Sequence, residues 1–143
     1  MPSDFALKAM NRVHRTVLAL TGNRLAETVS GMQVLELTTT GRQTGRPRTV
    51  MLTAPLREGG AWVVVASRGG DDFHPRWYLN LCANPDVTVA LPGRAGTPMR
   101  ARTATAAERA RLWPQIADQH KHYRGYQSRT EREIPLVLLE PVR

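Results

Sequence analysis

From Met32 to Thr40 apolar and polar residues alternate through a segment rich in Val, Leu and Thr, the two-residue period of a strand with one buried face. A second strand is expected from Arg48 to Leu56, and Pro55 puts its end at an edge or turns it out of the sheet. Glu58-Gly59-Gly60 is a turn sequence. The β-branched run Ala61–Ser67 that follows reads as a central strand. These connections are too short for crossover helices, so the three strands are read as antiparallel and successive, in a sheet or barrel rather than a βαβ layout. Asp86 to Leu91 and Thr97 to Ala104 form a further pair around Pro92-Gly93-Arg94-Ala95-Gly96, and Ile134 to Glu140 supplies the strand that closes the sheet.

Helical spacing appears in three places. Ala6, Met10, Val13, Val17 and Leu20 share one face of a helix capped by Ser3 or Asp4, which Thr21-Gly22-Asn23 ends or kinks. Pro75 opens a short helix that stops near Asn84, before Pro85. Thr105-Ala106-Ala107-Glu108 is a capping box, and the helix it opens carries Leu112, Trp113 and Ile116, with Pro114 as a bend or an interruption. His120 to Gln127 is a polar aromatic segment. The chain reads as a single, mainly β domain with flanking helices: residues 1–30 form an N-terminal amphipathic helix, and residues 31–143 form the β domain.

Composition adds a partner. At 143 residues one domain can bury a sizeable core, and a formal charge of +8 calls for something anionic: nucleic acid, a membrane surface or a small molecule. The first helix carries Lys8, Arg12 and Arg15, so it either packs on its own domain with a solvated basic side or makes peripheral contact with an anionic membrane. The single cysteine, Cys82, excludes an intrachain disulfide and a multi-cysteine metal site, and is expected to be a buried thiol in a reducing compartment. No metal is expected. No apolar run is long enough to span a bilayer and the start lacks the pattern of a signal peptide, so a cytoplasmic location is expected.

Two glycine-rich tips carry the candidate chemistry. In Thr38-Thr39-Thr40-Gly41-Arg42-Gln43-Thr44-Gly45-Arg46-Pro47-Arg48, Gly41 and Gly45 can take positive φ, while Arg42, Arg46 and Arg48 offer forked donors to phosphate or carboxylate. Read alone, the segment is a hairpin with solvated arginines, since basic turns are common. The second tip, Ser67-Arg68-Gly69-Gly70, can turn sharply and expose its N–H groups as an anion nest, and the Pro75 helix after it carries Trp77 and Tyr78. His74 reads as a cap or surface histidine, and Trp77 is open to a purely core role. Metalloprotease, Walker and nucleophile-elbow motifs are absent, and no carboxylates pair for acid–base work. The inventory suits a large, flat, anionic cofactor that brings its own reactivity. A nucleic-acid-binding β-barrel is the competing reading, disfavoured because the aromatics are not interleaved with basic residues on the strands.

Four blocks, in order, are similar to one family. They are Leu37 to Arg48, then Val65-Ala66-Ser67-Arg68-Gly69-Gly70, then His74 to Pro85, and Tyr123-Arg124-Gly125-Tyr126-Gln127 with Ile134-Pro135. Together they resemble the deazaflavin-dependent nitroreductase family, group A of the coenzyme F420-dependent oxidoreductases of actinobacteria. The resemblance implies a split β-barrel like those of flavin reductases and pyridoxamine-phosphate (PNP) oxidases. It implies reduced coenzyme F420 as cofactor and hydride transfer to an electron-poor small molecule: a quinone, an activated enone or a nitro compound. A cofactor carrier or sensor with little catalysis is the alternative.

By resemblance, Arg42, Gln43 and Arg48, with Arg46 beside them, meet the cofactor's phosphate and oligoglutamate tail. Ala66, Ser67 and Arg68 meet the deazaflavin side, and Arg76, Trp77, Tyr78, Leu79 and Asn80 form the cradling helix. Tyr123 and Tyr126 line the acceptor pocket, Tyr123 also facing the cofactor, and with Ser67 they are the expected catalytic hydrogen-bond donors. Many relatives have lysine where this chain has Gln43, so Arg46 is left to supply tail charge. His120 and Arg129 stand where the family's nitroimidazole reductase has aromatic residues, which implies a more polar rim. Monomer and homodimer are both compatible with the pattern.

Overall fold

The structure, a computed structural model, describes residues 28–142, so the N-terminal helix expected before residue 28 lies outside the described residues. Thr28–Val29 forms a short strand, β1, and pairs with the start of β2 (Met32–Thr40). Thr28 and Val29 therefore lie in the sheet, and Ser30 in the turn that follows. Ser30 (φ 52°) and Gly31 (φ 78°) supply the two left-handed residues that a two-residue hairpin needs.

The remaining strands are β3 (Pro47–Ala54), β4 (Leu56–Glu58), β5 (Ala61–Val65), β6 (Asp86–Ala90), β7 (Thr97–Thr103) and β8 (Leu136–Pro141). Neighbours run β1-β2-β6-β7-β8-β5-β4, with β3 on β2, and every pairing is antiparallel. The single strand expected from Arg48 to Leu56 is two. Proline cannot donate to a ladder, and at Pro55 the segment leaves β2 and pairs instead with β5. The sheet thus begins and ends on two halves of one segment, which curls it into the expected split-barrel form. β3 and β5 are not ladder neighbours, and β8 sits between β7 and β5.

Alternation explains the long apolar runs of β5 and β8. Val64, Val137 and Leu139 enter one core with Leu35, Leu37, Trp77 and Leu81. Val63, Val65, Leu136 and Leu138 enter a second core with Met32, Leu112, Ile116 and Tyr123. Both faces of these two strands are covered, so neither face can be polar.

Three helices complete the described chain: α1 (Arg76–Ala83), α2 (Ala106–Gln119) and α3 (Lys121–Ser128). Helix α2 starts at the expected capping box. The Thr105 side chain accepts the Glu108 N–H at 3.2 Å, and the Glu108 carboxylate accepts the Thr105 N–H at 2.9 Å. Pro114 does not interrupt it, because it lies on the exposed side, where water can meet the carbonyl it leaves unpaired. The polar aromatic segment is helix α3.

Helix α1 buries Trp77, Asn80 and Leu81, the i, i+3, i+4 stripe, and the next residue round, Cys82, is exposed. The expectation of a buried thiol is therefore corrected. Among the described residues no helix is long and apolar enough to cross a membrane.

Candidate cofactor and acceptor site

The β2–β3 tip is closed by its own backbone. Gly41 N–H donates to the Arg46 carbonyl and Gly45 N–H to the Gly41 carbonyl, both at 2.8 Å. Gly45 takes the expected positive φ, 73°. Gly41 does not; it is needed for space, since a Cβ there would stand 2.9 Å from Thr44 Oγ1 and 3.2 Å from the Arg46 oxygen. Below the tip the Thr38 and Thr49 hydroxyls meet across the strands at 2.8 Å. This frame leaves Arg42, Gln43, Arg46 and Arg48 exposed, and none of the three arginines has a carboxylate within ion-pair distance among the described residues.

Helix α1 is pinned to that tip. Asn80, 6% exposed, accepts the Arg42 backbone N–H at 3.1 Å and donates to Thr39 Oγ1 at 3.2 Å. Trp77 is packed in the core. The Tyr78 hydroxyl pairs with Thr103 of β7 at 2.9 Å, and its ring lies 4.9 Å from the His74 ring. Burial raises the Tyr78 pKa although the Thr103 hydrogen bond pulls it down, so this phenol is protonated at neutral pH. Arg76 is exposed at the helix start, also without a carboxylate partner among the described residues, and Leu79 is half-buried.

The second tip follows β5 as a 3₁₀ turn, Arg68–Gly70. Arg68, Gly69 and Gly70 are all left-handed, at φ 47°, 64° and 82°. For Arg68 this costs roughly 1–2 kcal/mol. The segment is held from several sides. Ala66 N–H donates to the Pro135 carbonyl at 2.9 Å, and Gly70 N–H donates to the Ser67 carbonyl at 2.9 Å. Arg68 pairs with buried Asp71 at 3.0 Å. A Cβ on Gly70 would stand 2.7 Å from the Tyr126 carbonyl oxygen, so the turn lies directly on α3.

Arg132 spans the same segment. It donates to the carbonyls of Asp71 (2.7 Å), Ser67 (2.8 Å) and Ala66 (3.2 Å), and lies 3.0 Å from His74 Nδ1. Guanidinium only donates, so His74 Nδ1 is the acceptor and any ring proton is on Nε2. Burial lowers the Arg132 pKa, with Asp71 opposing and Arg68 reinforcing the fall. Burial, then Arg132, lowers that of His74.

On α3, Tyr123 packs inward. It is 5% exposed, and its hydroxyl lies 3.2 Å from Thr53 Oγ1 and 3.5 Å from Met32 Sδ. Burial raises its pKa. Tyr126 is half-buried, with its ring edge-on to Tyr123 at 6.1 Å and the Arg129 guanidinium 5.7 Å from its centroid. The hydroxyls of Tyr126 and Ser67 have no hydrogen-bond partner among the described residues. His120 forms the joint between α2 and α3, beside His122.

The structure thus joins Arg42 to Asn80 of α1, and the Ser67–Gly70 turn to Tyr126, while His74, just before α1, meets Arg132, which is bonded to the Ser67 carbonyl. Ala66 is fully buried, leaving only backbone, and its carbonyl is taken by Arg132. Sequence reasoning missed Arg132 and Asp71. Arg132 sits in the charged stretch 128–133, which reads as an ordinary solvated loop.

A curled, all-antiparallel sheet flanked by three helices defines a split-barrel protein. A solved Listeria innocua protein of the pyridoxamine 5'-phosphate oxidase kind shares the fold, at 16% identity and TM-score 0.55 over 92% of this chain and 94% of its own. Within that class, the family model described as F420H(2)-dependent quinone reductase matches residues 9–141, and the chain belongs to this family. An F420H(2)-dependent quinone reductase of Mycobacterium tuberculosis is 40% identical over 131 residues, covering 90% of this chain and 87% of the relative. The solved F420-H2 dependent reductase FDR-A is 37% identical, with TM-score 0.65 over 75% of this chain and 93% of its own. Another solved structure, described as a domain-swapped dimer, is 32% identical, with TM-score 0.66 over 92% of this chain and 99% of its own. The protein is accordingly an F420H2-dependent reductase, an oxidoreductase whose cofactor is reduced coenzyme F420.

Proposed function

We propose that the protein reduces a quinone, holding the phosphate and oligoglutamate tail of F420 on the β2–β3 tip and the deazaflavin ring against the Ser67–Gly70 turn and α1. The tip carries this reading. Arg42, Arg46 and Arg48 are exposed without carboxylate partners among the described residues, on a frame that Asn80 fixes to α1. Three guanidinium groups within seven residues repel one another, and a multiply charged anion relieves that repulsion with charge-assisted hydrogen bonds. The donor set therefore fits the phosphate and carboxylates of the cofactor. Gln43 adds a neutral donor, and Arg76 adds a fourth cation where the dipole of α1 also favours an anion.

When bound, the reduced cofactor supplies a hydride from C5 to the acceptor. The chain's own residues orient the ring and acceptor and meet the charge that develops on the acceptor oxygen. Ser67 and Tyr126 fit that task, because their hydroxyls are uncommitted and sit on two elements in contact. Tyr78, Asn80 and Tyr123 use their polar groups within the protein and act by positioning. A quinone is the acceptor class supported by the names of the family and its relatives.

Turnover with a quinone, an enone and a nitro compound tests the reading. Quinone reduction is expected to be fastest, and Tyr126→Phe to lower its kcat by about 10²-fold with cofactor affinity unchanged. Unchanged turnover removes Tyr126 from the chemistry, and a clear preference for the enone or nitro compound overturns the quinone assignment.

A further inference from the structure

We propose that Arg132 is a positioning residue that holds the Ser67–Gly70 turn in its cofactor-receiving shape, with His74 as the partner that makes this hold depend on pH. The proposal rests on the reading that this turn seats the cofactor ring.

Arg132 is separated from its partners by 58 to 66 residues of chain, yet its donors reach three carbonyls and one imidazole of a single nine-residue segment, Ala66 to His74. That segment contains three successive left-handed residues, one of them Arg68, a conformation the chain would leave unless its ends were fixed. Arg132 fixes both sides of it: the Ala66 and Ser67 carbonyls before the turn and the Asp71 carbonyl after it. The carbonyls of Ala66 and Ser67 belong to the peptide units whose N–H groups are those of Ser67 and Arg68. A cation on the oxygen end polarises these units and strengthens their N–H groups as donors.

A lysine cannot reproduce the arrangement. Its ammonium is one compact donor centre, whereas the planar guanidinium spreads its N–H groups toward several acceptors.

His74 gives the hold its pH dependence. Nδ1 must be unprotonated to accept from Arg132, and a proton there would set a second cation 3.0 Å from the guanidinium. The other groups about the pair are Tyr78 against the imidazole, and Asp71, Asp72 and Arg68 around the guanidinium. Asp71 is already shared with Arg68 through its carboxylate and with Arg132 through its carbonyl. Protonating His74 therefore loosens the staple rather than recruiting a new carboxylate.

The test uses the full chain with and without oxidised F420. Amide hydrogen exchange in the cofactor-free protein reads the turn directly, because the amides of Ala66, Gly70, Asp71 and Asp72 all donate within the segment or to Pro135. Arg132→Lys is expected to speed exchange at Gly70 and Asp71 at least about tenfold while strands β2 and β8 keep wild-type protection, and to weaken cofactor binding by about tenfold in a fluorescence titration. Wild-type affinity is expected to fall as pH drops below the ordinary histidine value of about 6.5, and His74→Asn, whose side-chain oxygen can still accept from Arg132, to flatten that profile.

Faster exchange with unchanged affinity places the cofactor elsewhere, and the proposal falls with the reading beneath it. Unchanged exchange with wild-type cofactor binding overturns the role of Arg132 and leaves the site reading intact. Uniform loss of protection across the sheet assigns Arg132 to general stability and overturns the proposal as well. An identical pH profile in His74→Asn removes the histidine's part.

Discussion

Asn80→Leu separates the tip from helix α1 while keeping the side-chain volume similar. Asn80 is 6% exposed and Thr39 2% exposed, so the substitution strands the Thr39 hydroxyl away from water and removes the acceptor of the Arg42 N–H. Two hydrogen bonds at about 1 kcal/mol each give a loss of about 2 kcal/mol, a fall in Tm of roughly 6 °C for a chain of this size. Thr39→Val alone leaves the Asn80 amide unpaired and costs about 1 kcal/mol. In the double variant both partners are apolar and neither is stranded, so the two losses do not add, and the coupling is expected at about 1 kcal/mol. Thermal and urea unfolding of the four proteins measure it. The same variants titrated with F420 are expected to bind about tenfold more weakly when Asn80 is lost, an equivalent of about 1.4 kcal/mol, because the freed tip must be ordered on binding. Additive losses, or a wild-type Tm and wild-type cofactor affinity in Asn80→Leu, would refute the argument that this amide organises the tip.

The remaining predictions concern stability. Arg102 grips Glu108 through two hydrogen bonds at 2.6 and 2.8 Å, and together with the Thr105 backbone N–H this lowers the Glu108 pKa to about 2. A depressed carboxyl pKa gives stability that is complete above the ordinary value near 4.5 and is lost as pH falls toward 2. Glu108→Gln should therefore flatten the acid limb of a Tm–pH curve, at a cost near neutrality of about 1 kcal/mol because the Arg102 side chain is 41% exposed, and an unchanged acid limb would contradict this. Gly70→Ala meets both a left-handed φ and the Tyr126 carbonyl, whereas Gly45→Ala meets only the φ, with open space around its Cβ. Losses of about 3 and about 1 kcal/mol are expected in urea unfolding, and equal losses would show that the turn does not press on α3.

The strands were legible because two-residue alternation and short turns leave few alternatives, and both glycine-rich tips stood out by composition. The capping box at Thr105 and the helix after Pro75 were legible for the same local reason. What escaped was settled by contacts distant in sequence. Pro55 could mark an edge or an exit, and only the competing partners β2 and β5 decide that it divides one strand in two. The burial of Cys82 and Tyr123 was not legible because helical neighbours differ in burial according to which face finds a core. Tyr123 turned inward to Met32 and Thr53, while Cys82 stayed outside the Trp77–Leu81 stripe. Arg132 had no signal at all, since nothing in a run of charged residues distinguishes the one guanidinium that finds carbonyls from those left in water. The arginines of the tip were readable in number, and their lack of carboxylate partners among the described residues needed the structure.

The claim that the glycine-bracketed tip grips the cofactor's anionic tail is tested most directly by titrating F420 preparations of short and long oligoglutamate tail into the wild-type protein and Arg42→Ala. Wild-type protein is expected to bind the longer tail more tightly, and Arg42→Ala to lose affinity for both, with the larger loss for the longer tail and a weaker dependence on salt. Equal affinity for both tails in the wild type, or an Arg42→Ala loss that ignores tail length, would contradict the account.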